Sequence, residues 1–572
     1  MTAIEFLEKI TKSGTQIRIT GESIAEHINI ETNIVANGLI IEDCVFENFV
    51  FMEGIDLNYG IKFKNCTFRK KLSFNNCFAN KYDRSFNFDG SHLDFIDTKI
   101  DELYFTGTNQ IERGVRICEK TIIQDLQVRT LISNKGNFSI DDSTIERLFD
   151  ISHACINGNV SIRNNSKINA KVRFENLTSG SIVFTESNFK KDIHIWAGNI
   201  GSLTFNDGIF DDDLSIIAVP ISSYLTVIGT DFKKSISFTI QDDTNNKVGS
   251  LNKVYIQSDK FGEQFIINGG NSQIEELTID TSKQLEGDLY FNSCDILLAK
   301  LSGNNYKSNI VFNHSCFNKL NFDFFNNYST LSLISVKAFN PDSEFNIAHS
   351  NIGKTHFFNT FLNTFDKIGI YNSVLTEIIV ANVKWFDDKK LNPNISASSE
   401  EYTYKKEIYR QIKFALEKQG DKITSLSFKA LEMSAFKNES FAKVKWHKKI
   451  FGIDRFILWI GQTNNFGQNW LKPVLFAIGF TLLFYFLIVV GISNKLSYSL
   501  NISIESIRLT WSELAHYRNI IPQLMNPTNT LSKILPENVE VNFIVNLWDY
   551  LLKIFLAFFI FQVISAFRKY MK

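Results

Sequence analysis

From about Gln16 to Trp385 the chain repeats an apolar–x–apolar triplet every 10–11 residues. The clearest run is Val172/Phe174, Ile182/Phe184, Ile193/Ile195, Leu203/Phe205, Leu214/Ile216, Leu225/Val227 and Ile236/Phe238, and it resumes from Leu289/Phe291 to Ile378/Val380. Each triplet predicts a very short strand with alternate residues facing inward. Asn, Asp, Gly, Ser and Lys between triplets supply turns. Two triplets make 21–22 residues, the length of one coil of a right-handed parallel β-helix with an interior of stacked Phe, Ile, Leu and Cys. At ~4.8 Å per coil, residues 15–386 predict roughly 17 coils and a rod about 80 Å long. A β-sandwich also shows short alternating strands, but it does not hold one register through seven successive triplets. The spacing is irregular between residues 90 and 165, where the coil count stays open.

The period changes at both ends. Ile4, Phe6, Leu7 and Ile10 predict a short helix in residues 1–14, placed to cap the open end of the solenoid. Residues 387–400 are a polar linker, and residues 401–469 carry helical spacing and the approach to the membrane. Tyr404, Ile408, Ile412 and Leu416, then Ile423, Leu426, Leu431 and Met433, predict a hairpin of helices over 401–419 and 421–448. Gly420 stops the first helix and Asp421 caps the second.

Residues 470–492 then form the first span, uncharged from Val474 to Ile492. Nineteen residues at 1.5 Å each cover roughly 28 Å, the thickness of bilayer hydrocarbon. A second span is predicted over 545–567 and includes Asp549 and Lys553, four apart and near its start, so that they pair on one face while Lys553 snorkels to the interface. Residues 493–544 connect the spans, and 568–572 form a basic tail.

Loop charge sets an orientation. Lys443, Lys445, Lys448 and Lys449 precede the first span, and Arg568 and Lys569 follow the second; both clusters are candidate contacts for anionic lipid. The connection is poorer in Lys and Arg, so both termini are expected in the cytoplasm and the connection outside. The start MTAIEFLEKITKSG lacks a basic, then apolar, secretory signal, which agrees.

Composition narrows the function. Sixty basic against 61 acidic residues argue against nucleic-acid binding, which needs a positive footprint. Seven prolines suit long strand stacks. All seven cysteines precede the spans without a CxxC; Cys44–Cys66 and Cys294–Cys316 are each 22 apart and Cys66–Cys77 is 11, a repeat register of buried, reduced thiols.

Some stretches are similar to known groups. IKFKNCTFRKKLSFNNCF, with Phe63 and Phe68 five apart, resembles a degenerate pentapeptide repeat. YRQIKFALEKQGDKITSLSFKALEMSAF, NNFGQNW and FQVISAFRKY (409–436, 464–470 and 561–570) resemble bacterial membrane proteins that join such a cytoplasmic region to a two-span module, loosely described as ion-channel-like. MNPTN (525–529) resembles an Asn-Pro stretch in the same loop. The resemblance implies no defined activity. The connection also lacks a Thr-Val-Gly-Tyr-Gly filter, so potassium selectivity is unsupported.

No catalytic, cofactor or metal site is signalled: GxxxxGK[ST], HExxH and GxSxG are absent. Asp211-Asp212-Asp213 reads as a solvated turn ahead of a calcium or lyase site, and His349 and His356, seven apart, lack further ligands. In 503–521, Ile504, Ile507, Leu514 and Ile520 share one face and Arg508 and Glu513 lie elsewhere, the pattern of an interfacial helix anchored by Trp511 or of a re-entrant pore segment. Arg508, Glu513, Asp549 and Lys553 are therefore the candidate pore or interfacial residues. The first expectation is a non-enzymatic inner-membrane protein whose solenoid binds or senses a protein partner. The alternative is an oligomeric channel or membrane-permeabilising effector, as in stress or phage defence, gated through the solenoid. A carbohydrate-active β-helix enzyme is the third, and it requires an acidic groove beside a basic residue.

Overall fold

The computed structural model describes residues 1–12, 16–31, 38–81, 91–196, 198–217, 221–240, 250–257, 260–270, 272–283, 285–392, 398–442, 453–493, 495–496, 504–535, 539 and 541–567. The chain forms two compact units, Met1–Asn392 and Pro393–Lys572.

The first unit is the expected parallel β-solenoid. On one face, strands pair in parallel from Ile17↔Leu39 through Leu203↔Leu225 to Phe345↔Ile368. A second face runs from Ile28↔Val50 through Leu214↔Ile236 to Leu331↔Thr355. The two triplets of each predicted coil are these two faces. Two shorter edges close the turn, as in Ile168↔Phe189 and Ser179↔Ile200. Inward residues stack in ladders between coils: Phe189, Phe210 and Phe232 lie 4.7 and 4.8 Å apart, ring on ring.

The coil count is lower than expected. Fifteen register steps join the sixteen strands of the first face from Ile17 to Ile368, about 70 Å at ~4.8 Å each, and a single parallel bridge, Ile368↔Leu391, follows. Two steps are long: Ile61↔Leu93 takes 32 residues and Leu225↔Val254 takes 29. These steps include 82–90 and 241–249, outside the described residues, so dividing length by period overcounts. The stretch that looks irregular in sequence keeps its register, with Leu93↔Val115 and Val115↔Phe138 in step. An extra residue between Ile145 and Leu148, opposite Ile123–Asp125, disturbs the spacing there without breaking the ladder.

Coils turn through left-handed corners. Asp43, Asn65, Asp97, Asp142 and Asn164 stack at one corner with φ between 43° and 55°, a region Asn and Asp tolerate. The next residue is small and donates to a carbonyl of the preceding coil: Cys66 Sγ to Ile41 O at 3.3 Å, Thr98 Oγ1 to Phe63 O at 3.3 Å, Thr121 Oγ1 to Phe95 O at 3.1 Å. A second corner repeats this, with Cys77 Sγ to Met52 O at 3.3 Å and Ser315 Oγ to Phe291 O at 3.2 Å. The cysteine spacing is thus the spacing of a donor slot. Cys316 is the exception: Ser315, not Cys316, follows the left-handed corner that matches Cys294, and Cys316 pairs in register with Asp295. Its 22-residue offset from Cys294 is coincidental.

The predicted N-terminal helix is α1, Ala3–Ile10, with a Thr2/Glu5 capping box and Phe6 and Ile10 buried. The Thr2 backbone N–H, donating to Glu5 Oε2 at 2.8 Å, and the Thr2 hydroxyl hold Glu5 below the usual carboxylate range.

In the second unit, α2 (Ser398–Lys418) and α3 (Lys422–Ala442) form the predicted hairpin. Gly420 turns with φ 82°, and Asp421 Oδ1 accepts the Thr424 N–H at 3.0 Å. Tyr409 is fully buried in the seam, beside the Lys413–Glu432 ion pair at 2.7 Å. Then come α4 (Ile453–Gln462), α5 (Leu471–Ile492), α6 (Ile504–His516), the short α7 (Ile521–Leu524) and α8 (Leu531–Ile534), and α9 (Phe543–Phe567). The two helices long and apolar enough to cross a membrane are α5 and α9. They pack on each other through Phe476–Phe559 at 5.9 Å and Phe480–Phe555 at 4.8 Å. Their outer faces stay bare: Leu475, Leu483, Ile554 and Phe561 are each more than half exposed. A soluble core helix would bury such residues; open apolar surface of this extent marks a membrane or protein contact.

Candidate functional site: the juncture and the charges of the helix pair

Residues 463–470 link α4 to α5 through three successive left-handed residues, Asn465, Phe466 and Gly467, with φ of 51°, 53° and 90°. For Phe466 this costs roughly 1–2 kcal/mol, so the surroundings must hold it. Asn464 does so. It is 2% exposed; its Oδ1 accepts the Gly467 N–H at 2.9 Å and its Nδ2 donates to Gln562 O of α9 at 3.3 Å. Gln468 Nε2 donates to Leu426 O of α3 at 2.9 Å. Asn469 Oδ1 accepts the first N–H groups of α5, from Leu471 at 2.9 Å and Lys472 at 3.1 Å. Trp470 stacks on Phe567 at 5.6 Å. One loop therefore ties the hairpin to both long helices, and a shift of α3 relative to α9 must pass through it.

The charges lie at the other half of the pair. Asp549 is buried and ion-paired with Lys553, as the i,i+4 spacing predicts. Asp549 Oδ1 and Trp548 Nε1 are buried without a hydrogen-bond partner. The depth of the pair differs from the expectation of a terminal position. Because α9 begins at Phe543, Lys553 sits about 15 Å along a helix of about 37 Å, close to its middle.

The connection is not a free loop among the described residues. Ile520, Leu524, Leu531 and Leu535 pack against Ile488, Val489, Val545 and Leu552 of the long helices. The Tyr485 hydroxyl donates to Leu514 O. Glu513 is buried and accepts from Ser493 Oγ and Lys495 Nζ, both at 3.0 Å. The Lys495 hydrogen bond outweighs burial and holds its carboxyl below the usual range. Arg508 is exposed and joins no such cluster. The predicted common face of 503–521 divides: Ile504 and Ile507 are exposed with Trp511, whereas Leu514 and Ile520 pack inward. Of the four candidate residues, the structure brings Asp549 and Lys553 together and places Glu513 and Arg508 apart from them. Lys443, Lys445, Lys448, Lys449, Arg568 and Lys569 lie outside the described residues.

Sequence reading missed Asn464, Tyr485 and Gln562. NNFGQNW carried a local signal for Asn464, since Asn and Gly cluster where the backbone turns left-handed; Gln562 carried none, its contact lying 98 residues away.

On the solenoid, the aspartate turn is an ion-pair ladder. Asp211 accepts from Lys190 at 2.5 Å and Lys233 at 2.6 Å, and Asp212 from Lys234 at 2.8 Å. Burial raises the Asp211 carboxyl, but the two lysines bring it below its ordinary value. His349 stacks on Phe324 at 4.9 Å and His356 on Phe358 at 5.2 Å. No cluster of three metal-type ligands occurs among the described residues. A groove of about 710 Å³ runs over several coils, lined by Arg113, Arg116, Lys135, Asn137, Asn159 and Arg163. It is basic, and the acids at its rim are ion-paired, as in Arg163–Asp141 at 3.2 Å and Lys135–Glu112 at 2.5 Å. It does not supply the acidic groove that carbohydrate chemistry requires.

Comparison with protein-family models, curated proteins and solved structures finds no match. The likeness to bacterial two-span proteins rests on residues 409–436, 464–470, 525–529 and 561–570 of the sequence.

Proposed function

We propose that this chain is a non-enzymatic integral membrane protein that presents its β-solenoid, with both termini, on the cytoplasmic side as a binding or sensing surface. The carrying observation is the bare apolar surface of α5 and α9 in the same chain as a solenoid of fifteen register steps. The solenoid's outward charges are spent on cross-coil pairs such as Lys190–Asp211 and Lys300–Glu276, which leaves an extended, stiff face of the kind repeat proteins use for partners. Exposed aromatics, among them Trp196, Tyr306 and Tyr328, are suitable anchor points for a protein partner. Photo-crosslinkers at these three positions, in membranes carrying the full chain, should give a discrete adduct that is lost when neighbouring surface residues are changed. Absence of an adduct at all three positions contradicts the reading.

One observation favours a second reading, an oligomeric channel or permeabilising effector. Charges inside a span are functional candidates, and Asp549 keeps one buried oxygen unpaired. Two spans do not enclose a pore, so this reading requires several copies. Ion flux from liposomes holding the full chain, altered by Asp549→Ala, would support it; a strict monomer in detergent would end it.

A further inference from the structure

Two cavities meet on the flank of the helix pair. The inner one, about 370 Å³, is wholly apolar and lined by Ile460 of α4, Phe476 and Phe480 of α5, and Phe555, Phe558 and Phe559 of α9. The outer one, about 430 Å³, is lined by Gln462, Thr463, Lys472, Leu475 and Phe476. They share Thr463 and Phe476, so together they form one cleft. Along α5 the lining passes from Lys472 in the first turn to Phe480 two turns deeper, about 12 Å. The cleft is polar and cationic at the mouth and aromatic at depth.

The mouth holds positive charge that no carboxylate neutralises among the described residues. Lys472 is exposed and its Nζ donates only to the neutral Asn465 Oδ1, at 2.9 Å. Lys437 of α3 reaches the mouth from the other side, where its ammonium donates to Gln462 Oε1. Burial pushes the Lys437 ammonium below its ordinary pKa, so a nearby anion would relieve it. The first turn of α5 adds the positive end of a helix dipole. The inner cavity falls within the range of built ligand sites, roughly 300–1,000 Å³.

We infer that this cleft binds one anionic phospholipid, with an acyl chain along Phe476, Phe480, Phe555 and Phe559 and the phosphate headgroup at Lys472. The inference rests on the membrane reading of α5 and α9, which supplies lipid on this flank. An uncharged apolar ligand would fill the inner cavity but leave both lysines without a counter-charge. A free phosphate would satisfy the lysines but leave the aromatic cavity empty. A lipid with a charged head and an apolar chain matches both halves at their observed spacing.

The test uses the delipidated full chain in mild detergent and native mass spectrometry, with phosphatidylglycerol and phosphatidylcholine of identical chains as probes. The expected result is one retained phosphatidylglycerol, favoured over phosphatidylcholine about fivefold, the factor one interfacial lysine contributes. Lys472→Gln should remove the preference and Lys472→Arg should keep it. Ile460→Trp, which fills the inner cavity, should lower retention of both lipids. Excess inorganic phosphate should not displace the bound lipid. Equal retention of the two lipids by the unaltered chain, a preference that survives Lys472→Gln, or displacement by phosphate would overturn the inference. The unaltered chain decides the first and last of these even where a variant fails to fold. Alkaline extraction of the chain from its membranes would instead overturn the membrane reading, and is scored separately.

Discussion

Single side chains do two kinds of work here, closing coils and tying helices. The thiols of Cys66, Cys118 and Cys294 are pushed up to about 12 by burial, and those of Cys77 and Cys316 to about 11. A raised thiol pKa keeps the reactive thiolate scarce until pH approaches that value. At pH 8 a thiol reagent should therefore label the native chain at no more than two sites, the partly exposed Cys155 and Cys316, and all seven sites after denaturation. Rapid native labelling of Cys66 or Cys77 would contradict the donor-slot account. Asn464→Ala strands the partly buried Gly467 N–H and removes the link to Gln562 O, which costs about 1–3 kcal/mol; melting in detergent should fall accordingly. The residue scale was only partly legible in the sequence. Gly420 and Asp421 were readable because a helix stop and cap are local chemistry. The Asp549–Lys553 pair was readable from its spacing, and the observed start of α9 lies two residues before the expected one. Cys316 was misread because spacing alone does not tell one face of a coil from the next.

At the scale of elements, the coil and the capped helix pair behave differently. A coil touches mainly its two neighbours, so its stability is local. Phe210→Ala opens a cavity between the Phe189 and Phe232 rings and should cost about 3–5 kcal/mol. Hydrogen exchange should rise in the coils that contain Phe189 and Phe232 and remain unchanged in coils beyond Leu289. Uniform loss of protection through the solenoid would contradict nearest-neighbour packing. The cap on the helix pair depends on pH. Glu513 lies below its ordinary value of 4.5, so its contacts with Lys495 and Ser493 stabilise the fold above the unfolded value. That contribution is lost as pH falls through the lower, folded value. As pH falls below that ordinary value, α6 should progressively lose exchange protection against α5, and Glu513→Gln should lack that acid-dependent step. Repeating elements were legible as triplets because each coil restates the same inward pattern. The folded-back connection was not, because its partners lie on two helices that flank it in sequence.

For the whole molecule, the solenoid and the two long helices were readable as separate periods, 2 within triplets and 3.6 beyond Trp385, and both periods are present in the fold. The coil count was not, because long register steps are invisible to a mean spacing. What the molecule does follows from where its units reside. The account places the solenoid and both termini on one side of a membrane and the connection on the other. The most direct test is side-specific labelling in intact cells with an impermeant maleimide, comparing native Cys155 on the solenoid with a Ser532→Cys variant in the exposed part of the connection. The account predicts labelling at position 532 in intact cells, and labelling of Cys155 only after permeabilisation. Labelling of Cys155 in intact cells, or protection of both sites until the membrane is opened, would contradict it.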